Sequence, residues 1–314
     1  PFALETIQKR ISVYRANLGE PSKPTAVFLL VGPSGVGKTE TALTLAELLY
    51  GGERNVISIN MSEYQEAHSV AGLKGAPPGY VGYGSGGILT EAVRRNPYSV
   101  VLLDEVEKAH PDVLEIFYQV FDKGVLEDSE GTAVNFKNTI ILLTTNLASE
   151  TILSCTKGQD MPSDIESIVE LIRPELVRYF KPALLGRMTI VPYLALNDAQ
   201  IRDIVELKLE HICQQFRDNH GAELTYDSKI LDLIAARCQE VDTGARAIDA
   251  IINQNFLPKL AESLLSLMAS GDKFSAANVG LDQNNDFTLS FSDDLKILQV
   301  KEASSAVDTG LSDG

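Results

Sequence analysis

The chain has 314 residues, with 27 Lys plus Arg against 43 Asp plus Glu, for a formal net charge of −16. Hydrophobic residues make up 44% and charged residues 22%, which is ordinary for a soluble globular protein with a real core, and the length alone predicts about two domains. A chain this acidic repels phosphate backbones, and no apolar run reaches the ~18 residues of a membrane helix, so neither nucleic acid nor a membrane is an expected partner. No secretory signal is visible. Cys155, Cys213 and Cys238 are widely spaced and odd in number, which is neither a disulfide framework nor a zinc pattern. Cys213 and Cys238 fall in amphipathic, helix-like segments and read as packed thiols, which suits a reducing compartment, the cytoplasm. The first residue is Pro1 rather than Met, so the sequence reads as part of a longer polypeptide.

Short apolar runs alternate with helical patterns over the first two thirds. Strands are expected at 26–31, 56–60, 99–103, 139–145 and 188–192. They are apolar on both faces, as a parallel sheet covered by helices on each side demands. After Pro192 the pattern turns helical: 198–219, then 228–238 with Asp227 as its N-cap, then 244–270. A late strand is expected at 286–292. The expected division is a large α/β domain over 1–193, a smaller, mainly helical domain with short strands over 194–300, and a disordered Ser-, Ala-, Asp- and Gly-rich tail over 301–314.

The chemistry is carried by Gly32-Pro33-Ser34-Gly35-Val36-Gly37-Lys38-Thr39, which fits G-x-x-x-x-G-K-[ST] between a strand and a helix. The glycines let backbone N–H groups wrap a phosphate, and the helix N-terminus behind them attracts it. Lys38 is expected on the β- and γ-phosphates of ATP, and Thr39 on Mg²⁺. Next, Val100-Val101-Leu102-Leu103 runs into Asp104-Glu105, which puts two carboxylates at the carboxyl edge of the sheet. Asp104 suits Mg²⁺ or its water shell, and Glu105 suits a general base acting on water. An Asp-Glu pair at a strand end is also a common helix cap, and the phosphate loop is what favours the catalytic reading. Finally, Thr144-Thr145-Asn146 ends the next apolar run, where Asn146 can hydrogen-bond the attacking water or the γ-phosphate. Alone, an Asn after a strand is a turn residue.

With those three elements the chain resembles an AAA+ ATPase, and more closely the second, C-terminal nucleotide-binding module of the Clp/Hsp100 unfoldases. The stretch Gly75-Ala76-Pro77-Pro78-Gly79-Tyr80-Val81-Gly82-Tyr83 is similar to that family's pore loop, and Leu103-Asp104-Glu105-Val106-Glu107-Lys108-Ala109-His110 also matches. The resemblance covers about residues 20–300. Phe117-Tyr118-Gln119-Val120-Phe121-Asp122-Lys123-Gly124, residues 138–145 and Leu257-Pro258-Lys259-Leu260-Ala261 look like the ClpV branch, which serves type VI secretion.

The resemblance implies ATP and Mg²⁺ as cofactors and a homo-hexamer that hydrolyses ATP and threads protein through its pore. In the ClpV branch the protein would be the contracted secretion sheath. The alternatives are a ClpB-type disaggregase and, in another class, a nucleotide-gated assembly scaffold. Leu185-Gly186-Arg187 matches the arginine-finger segment, although the family more often has Asn where this chain has Gly186. Arg187 would reach the ATP of a neighbouring subunit. Gly244-Ala245-Arg246 matches the sensor-2 motif, so Arg246 would touch the γ-phosphate, and Ile201 would pack near the adenine. Tyr80 and Val81 would grip the threaded chain, since an aromatic side chain between glycines can swing onto any peptide. The Val-x-Gly-Gln segment that precedes such modules is not present before Pro1-Phe2-Ala3, so part of the base pocket is expected to be incomplete.

Overall fold

The computed structural model describes residues 2–16, 18–76, 78–79, 86–157, 164–239, 245–270 and 274–292. Tyr80, Val81, Gly244 and the 301–314 tail lie outside the described residues. The chain divides into two compact units between Ala195 and Leu196.

The first unit contains, in chain order, α1 (Phe2–Arg15), β1 (Ala26–Val31), α2 (Lys38–Tyr50), β2 (Val56–Asn60), α3 (Val70–Lys74), α4 (Ile88–Arg95), β3 (Val100–Asp104), α5 (Pro111–Lys123), β4 (Val125–Glu127), β5 (Ala133–Asn135), β6 (Ile140–Thr145), α6 (Ser149–Lys157), α7 (Ile165–Tyr179), α8 (Pro182–Leu185) and β7 (Thr189–Pro192). Five of these strands form one sheet in the order β2-β3-β6-β1-β7, and every pairing in it is parallel. The continuous apolar runs have a direct cause. Alternate residues of a strand point to opposite faces, and here both faces are cores. Ala26, Phe28 and Leu30 join Ile7 and Ile11 of α1 and Ala42, Leu45 and Ala46 of α2. Val27, Leu29 and Val31 join Leu89 and Val93 of α4, Phe117 and Phe121 of α5, and Ile172 and Leu176 of α7. A polar residue at either parity would therefore be buried.

α5 shows how local sequence sets an element. His110 caps its start, its Nδ1 accepting from Asp112 N–H at 3.2 Å, and Pro111 occupies the first turn, where a missing N–H costs nothing. Gly124 ends it in the left-handed conformation at φ 61°, donating to Val120 O at 2.8 Å. Its apolar residues Val113, Leu114, Phe117, Val120 and Phe121 recur at helical spacing on the buried face. Tyr118 and Asp122, one turn apart, lie off that face.

The second unit contains α9 (Asp198–His220), β8 (Glu223–Tyr226), α10 (Ser228–Gln239), α11 (Ala245–Ile251), a π-helical turn (Ile252–Phe256), α12 (Leu257–Ser270), β9 (Ala276–Leu281) and β10 (Phe287–Ser292). A capping box starts α9: Asn197 Oδ1 accepts from Gln200 N–H at 2.9 Å, and Gln200 Oε1 accepts from Asn197 N–H at 3.0 Å. Asp227 caps α10 by accepting from Lys229 N–H at 3.0 Å. The single helix expected over 244–270 is instead two helices joined by the π-turn. Pro258, just beyond that turn, has no N–H for the α-helical ladder, and a widened turn before it avoids the ring's clash with the preceding carbonyl. Only the last strand of this unit was expected. The structure adds β8 and β9, which pair in parallel, with β10 antiparallel to β9. Cys238 is buried here, and burial pushes its thiol up to about 11.

Leu29→Ala, at the centre of β1 and fully buried, is expected to lower the unfolding free energy by about 2–5 kcal/mol in a denaturant titration. Leu48→Ala, on the exposed side of α2, is expected to stay within about 0.5 kcal/mol of wild type.

Candidate nucleotide site

The site forms where β1, β6 and β3 end side by side. Val31 pairs with Thr145, and Leu103 with Leu143, so the three strands deliver residues 32–39, Asn146 and Asp104-Glu105 to one edge. Gly32 is required at its position. A Cβ there would meet the backbone oxygen of Tyr193 at 2.4 Å. Tyr193 is itself fixed, its N–H donating to Val31 O at 2.7 Å and its hydroxyl lying 2.6 Å from Thr41 Oγ1. The loop backbone is thus clamped between β1 and the chain leaving β7. Gly37 caps α2 at φ 93° with open space where a side chain would be.

Lys38 is 8% exposed. Its Nζ donates to Gly32 O, to Pro33 O at 2.9 Å and to Asn146 Oδ1 at 2.9 Å. A buried ammonium needs such acceptors, and they hold it at the mouth of its own loop. Among the described residues, no backbone hydrogen bond is made by the N–H groups of Ser34, Gly35 and Gly37. Thr39 is exposed, and among the described residues its hydroxyl has no hydrogen-bond partner. Free backbone donors, a lysine and a helix N-terminus converge here on one point, which is the donor set an anionic phosphate chain needs.

Asp104 ends β3, and its Oδ1 accepts from Thr144 Oγ1. The same Thr144 oxygen accepts from Glu105 N–H at 3.1 Å. Glu105 sits in the left-handed region at φ 56°, uncommon for a residue with a side chain. Lys108 Nζ donates to its Oε2 at 2.7 Å, and that bond raises the Lys108 pKa. Among the described residues, Glu105 Oε1 has no protein donor. Asn146 N–H donates to Glu107 Oε1 at 3.2 Å. The other Glu107 oxygen, Oε2, is buried with no hydrogen-bond partner among the described residues. Lys38, Asn146 and Glu107 thus form one hydrogen-bonded group and Asp104, Thr144 and Glu105 another, side by side at three strand ends.

Two of these members, Thr144 and Glu107, carry structure that sequence reasoning assigned to no role. Thr144 was visible only as a neighbour of Asn146, and Glu107 only as a letter in the stretch after the strand. Arg187 lies outside this cluster. Its Nε and Nη2 donate to Asp122 at 2.6 and 2.8 Å, its Nη1 donates to Ala183 O, and its Cζ lies 5.4 Å from the Tyr118 ring centre. Ile201 and Arg246 belong to the second unit. Ile201 is buried in α9 with Val205 and Leu209, and Arg246 is exposed in the first turn of α11.

The profile of the AAA domain family (Cdc48 subfamily) matches residues 23–191, and that of the C-terminal, D2-small domain of ClpB protein matches residues 196–276. The chain is 53% identical over 291 residues to the AAA+ ATPase ClpV1 of Pseudomonas aeruginosa, covering 93% of this chain and 32% of that relative. It is 52% identical over 265 residues to the chaperone protein ClpB of Yersinia enterocolitica, covering 84% of this chain and 30% of that one. The ClpB of Prochlorococcus marinus is 45% identical over 264 residues, at 84% and 30% coverage. The chain thus spans about a third of the length of these curated relatives. The family profiles over residues 23–191 and 196–276, with relatives at 53% and 52% identity, show that the chain belongs to the AAA family of ATPases, as a second-type nucleotide-binding module of the Clp/Hsp100 group with ClpV1 and ClpB among its relatives.

Proposed function

We propose that the module binds ATP with Mg²⁺ at the 32–39 loop, hydrolyses it, and uses the energy within a homo-hexamer to pull on protein. The observation that carries this reading is Lys38. Its ammonium is held by Asn146 Oδ1 and two loop carbonyls, beside backbone N–H groups that make no backbone hydrogen bond. A triphosphate entering the loop would take those donors and draw Lys38 onto the β- and γ-phosphates. Mg²⁺, held by Thr39 and Asp104, would neutralise phosphate charge. Thr144 keeps Asp104 and the Glu105 backbone in place. Glu105 Oε1, left open, would accept a proton from the attacking water, which Asn146 would orient. Arg187 points at no part of its own site and would serve a neighbouring subunit's γ-phosphate. A guanidinium suits that task, since it stays charged and binds phosphate oxygens in a fork. Arg246 and Ile201, from the second unit, would contact the γ-phosphate and the adenine.

For the ring's work, disassembly of contracted type VI sheaths is the first reading, supported by the ClpV1 relationship. A disaggregase is the second, favoured by the match of residues 196–276 to the ClpB small domain. Tyr80 and Val81 would grip substrate in either case. No helix among the described residues is long and apolar enough to cross a membrane, and a cytoplasmic location suits both substrates.

Lys38→Ala is expected to abolish ATP binding by calorimetry, and unchanged affinity would remove the loop from the mechanism. Gly32→Ala is expected to lower both nucleotide affinity and the unfolding temperature, because its Cβ meets backbone. Gly37→Ala adds only left-handed strain, of order 1–2 kcal/mol. Equal thermal shifts in the two variants would count against the clamp at Tyr193.

Glu105→Gln keeps its shape but not its basicity. It is expected to bind ATP and to slow hydrolysis by about 10²–10⁴-fold. Arg187→Ala is expected to leave binding intact and to slow the assembled ring by about 10³–10⁵-fold. Mixed rings of the two variants contain some interfaces with both residues intact. Recovery of hydrolysis on mixing supports action across subunits, and no recovery in confirmed mixed rings defeats it.

A further inference from the structure

α5 places Tyr118 and Asp122 one turn apart on the face turned to α8, and both meet Arg187. The contact is specific. Asp122 takes a two-pronged hydrogen bond through Nε and Nη2, Ala183 O takes Nη1, and the Tyr118 ring faces the guanidinium. Three donor nitrogens are thereby engaged within the subunit. The hydrogen bond from Arg187 holds the Asp122 carboxyl below its usual range, and Asp122 in turn raises the Arg187 pKa. Both partners are half-exposed, with side chains 33% and 41% accessible. Such a pair is reachable from outside and exchangeable, not locked in a core.

This arrangement conflicts with the task of a finger. A guanidinium stabilises charge developing on a γ-phosphate because it brings a net positive charge. Arg187 paired to Asp122 brings almost none, and its best bidentate edge is occupied. Bringing the intact pair to a triphosphate would also set a carboxylate against phosphate oxygens. Engagement therefore requires one anion to replace another.

We propose that Asp122 is the resident partner of Arg187 and competes with the neighbouring subunit's γ-phosphate for it, so that each engagement exchanges carboxylate for phosphate and each loss of phosphate returns Arg187 to Asp122. Asp122 is thus a residue that sets how strongly the ring responds to the γ-phosphate. The inference rests on the reading that Arg187 acts between subunits. Tyr118 keeps the guanidinium beside α5 during the exchange, since its ring attracts the cation without consuming a donor.

The test is steady-state ATP hydrolysis by the full-length ring, with kcat/KM read for wild type, Asp122→Asn, Asp122→Glu, Arg187→Ala and the Asp122→Asn/Arg187→Ala double variant. Exposed pairs of this class shift equilibria by up to about fivefold, so Asp122→Asn is expected to raise kcat/KM about two- to fivefold. Asp122→Glu keeps the charge and is expected to stay near wild type. In the Arg187→Ala background, Asp122→Asn is expected to change nothing, because no competitor remains to be removed. A merely structural role would instead lower the rate in both backgrounds. If Arg187→Ala is inactive while Asp122→Asn is unchanged or slower than wild type, the competition is refuted and the intersubunit reading stands. If Arg187→Ala hydrolyses ATP normally, the intersubunit reading itself falls, and this inference with it.

Discussion

Everything at the site depends on the register of three neighbouring parallel strands. β1, β6 and β3 end within one residue of each other because Val31 faces Thr145 and Leu103 faces Leu143. That alignment is enforced from inside the sheet. Each strand is buried on both faces, and a slip of one residue would send every side chain to the opposite core. Thr144 and Thr145, fully buried in β6, make the alignment stricter still. Thr144 finds its partners, Asp104 and the Glu105 N–H, only in this register. Its hydroxyl converts strand pairing into the placement of two carboxylates.

The same physics explains which parts of the molecule were visible in the sequence. β1 and β2 have the bounds expected, β3 is shifted by one residue at both ends, and β6 and β7 each start one residue later. A doubly buried strand writes itself as a continuous hydrophobic run, as in β1, β3 and β6; β2, at the sheet edge, departs from the expectation and buries one face only, with Ser58 and Asn60 exposed. β4 and β5 are three residues each, too short for any period. β8 is a four-residue link between long helices, and β9 carries Ala, Asn and Gly, residues with little strand preference. Their pairing comes from tertiary context. The π-turn before Pro258 was invisible because helical periodicity on either side of it continues almost unbroken.

At the candidate site, the residues singled out from the sequence were those whose local spacing fits a motif. Lys38 and Thr39 are fixed by the loop, and Asp104, Glu105 and Asn146 by their place at strand ends. The structure brings Lys38 and Asn146 into hydrogen-bond contact although 108 residues separate them. Thr144, Glu107 and Asp122 are different. Each acts through a partner distant in sequence, and a hydroxyl or carboxylate on its own announces no partner. Glu107 is the clearest case. One of its oxygens orients the Asn146 backbone and the other is buried without a donor among the described residues. A buried acceptor of that kind is costly, and its position next to Asn146 ties that cost to the site rather than to the core.

Lys38 and Arg187 are two cations handled in the same way. Each is satisfied in this state by acceptors from its own subunit: carbonyls and an amide oxygen for Lys38, a carboxylate and a carbonyl for Arg187. Lys38, nearly buried, would be costly unpaired, whereas Arg187, half-exposed, gains only modestly from its pair. The difference lies in the strength of what each would give up under the proposed function. Lys38 would release neutral acceptors, which a phosphate outcompetes easily. Arg187 would release an anion, so only a group of higher charge density would gain from the exchange. On that proposal the first cation would respond to the presence of a nucleotide, and the second to its terminal phosphate.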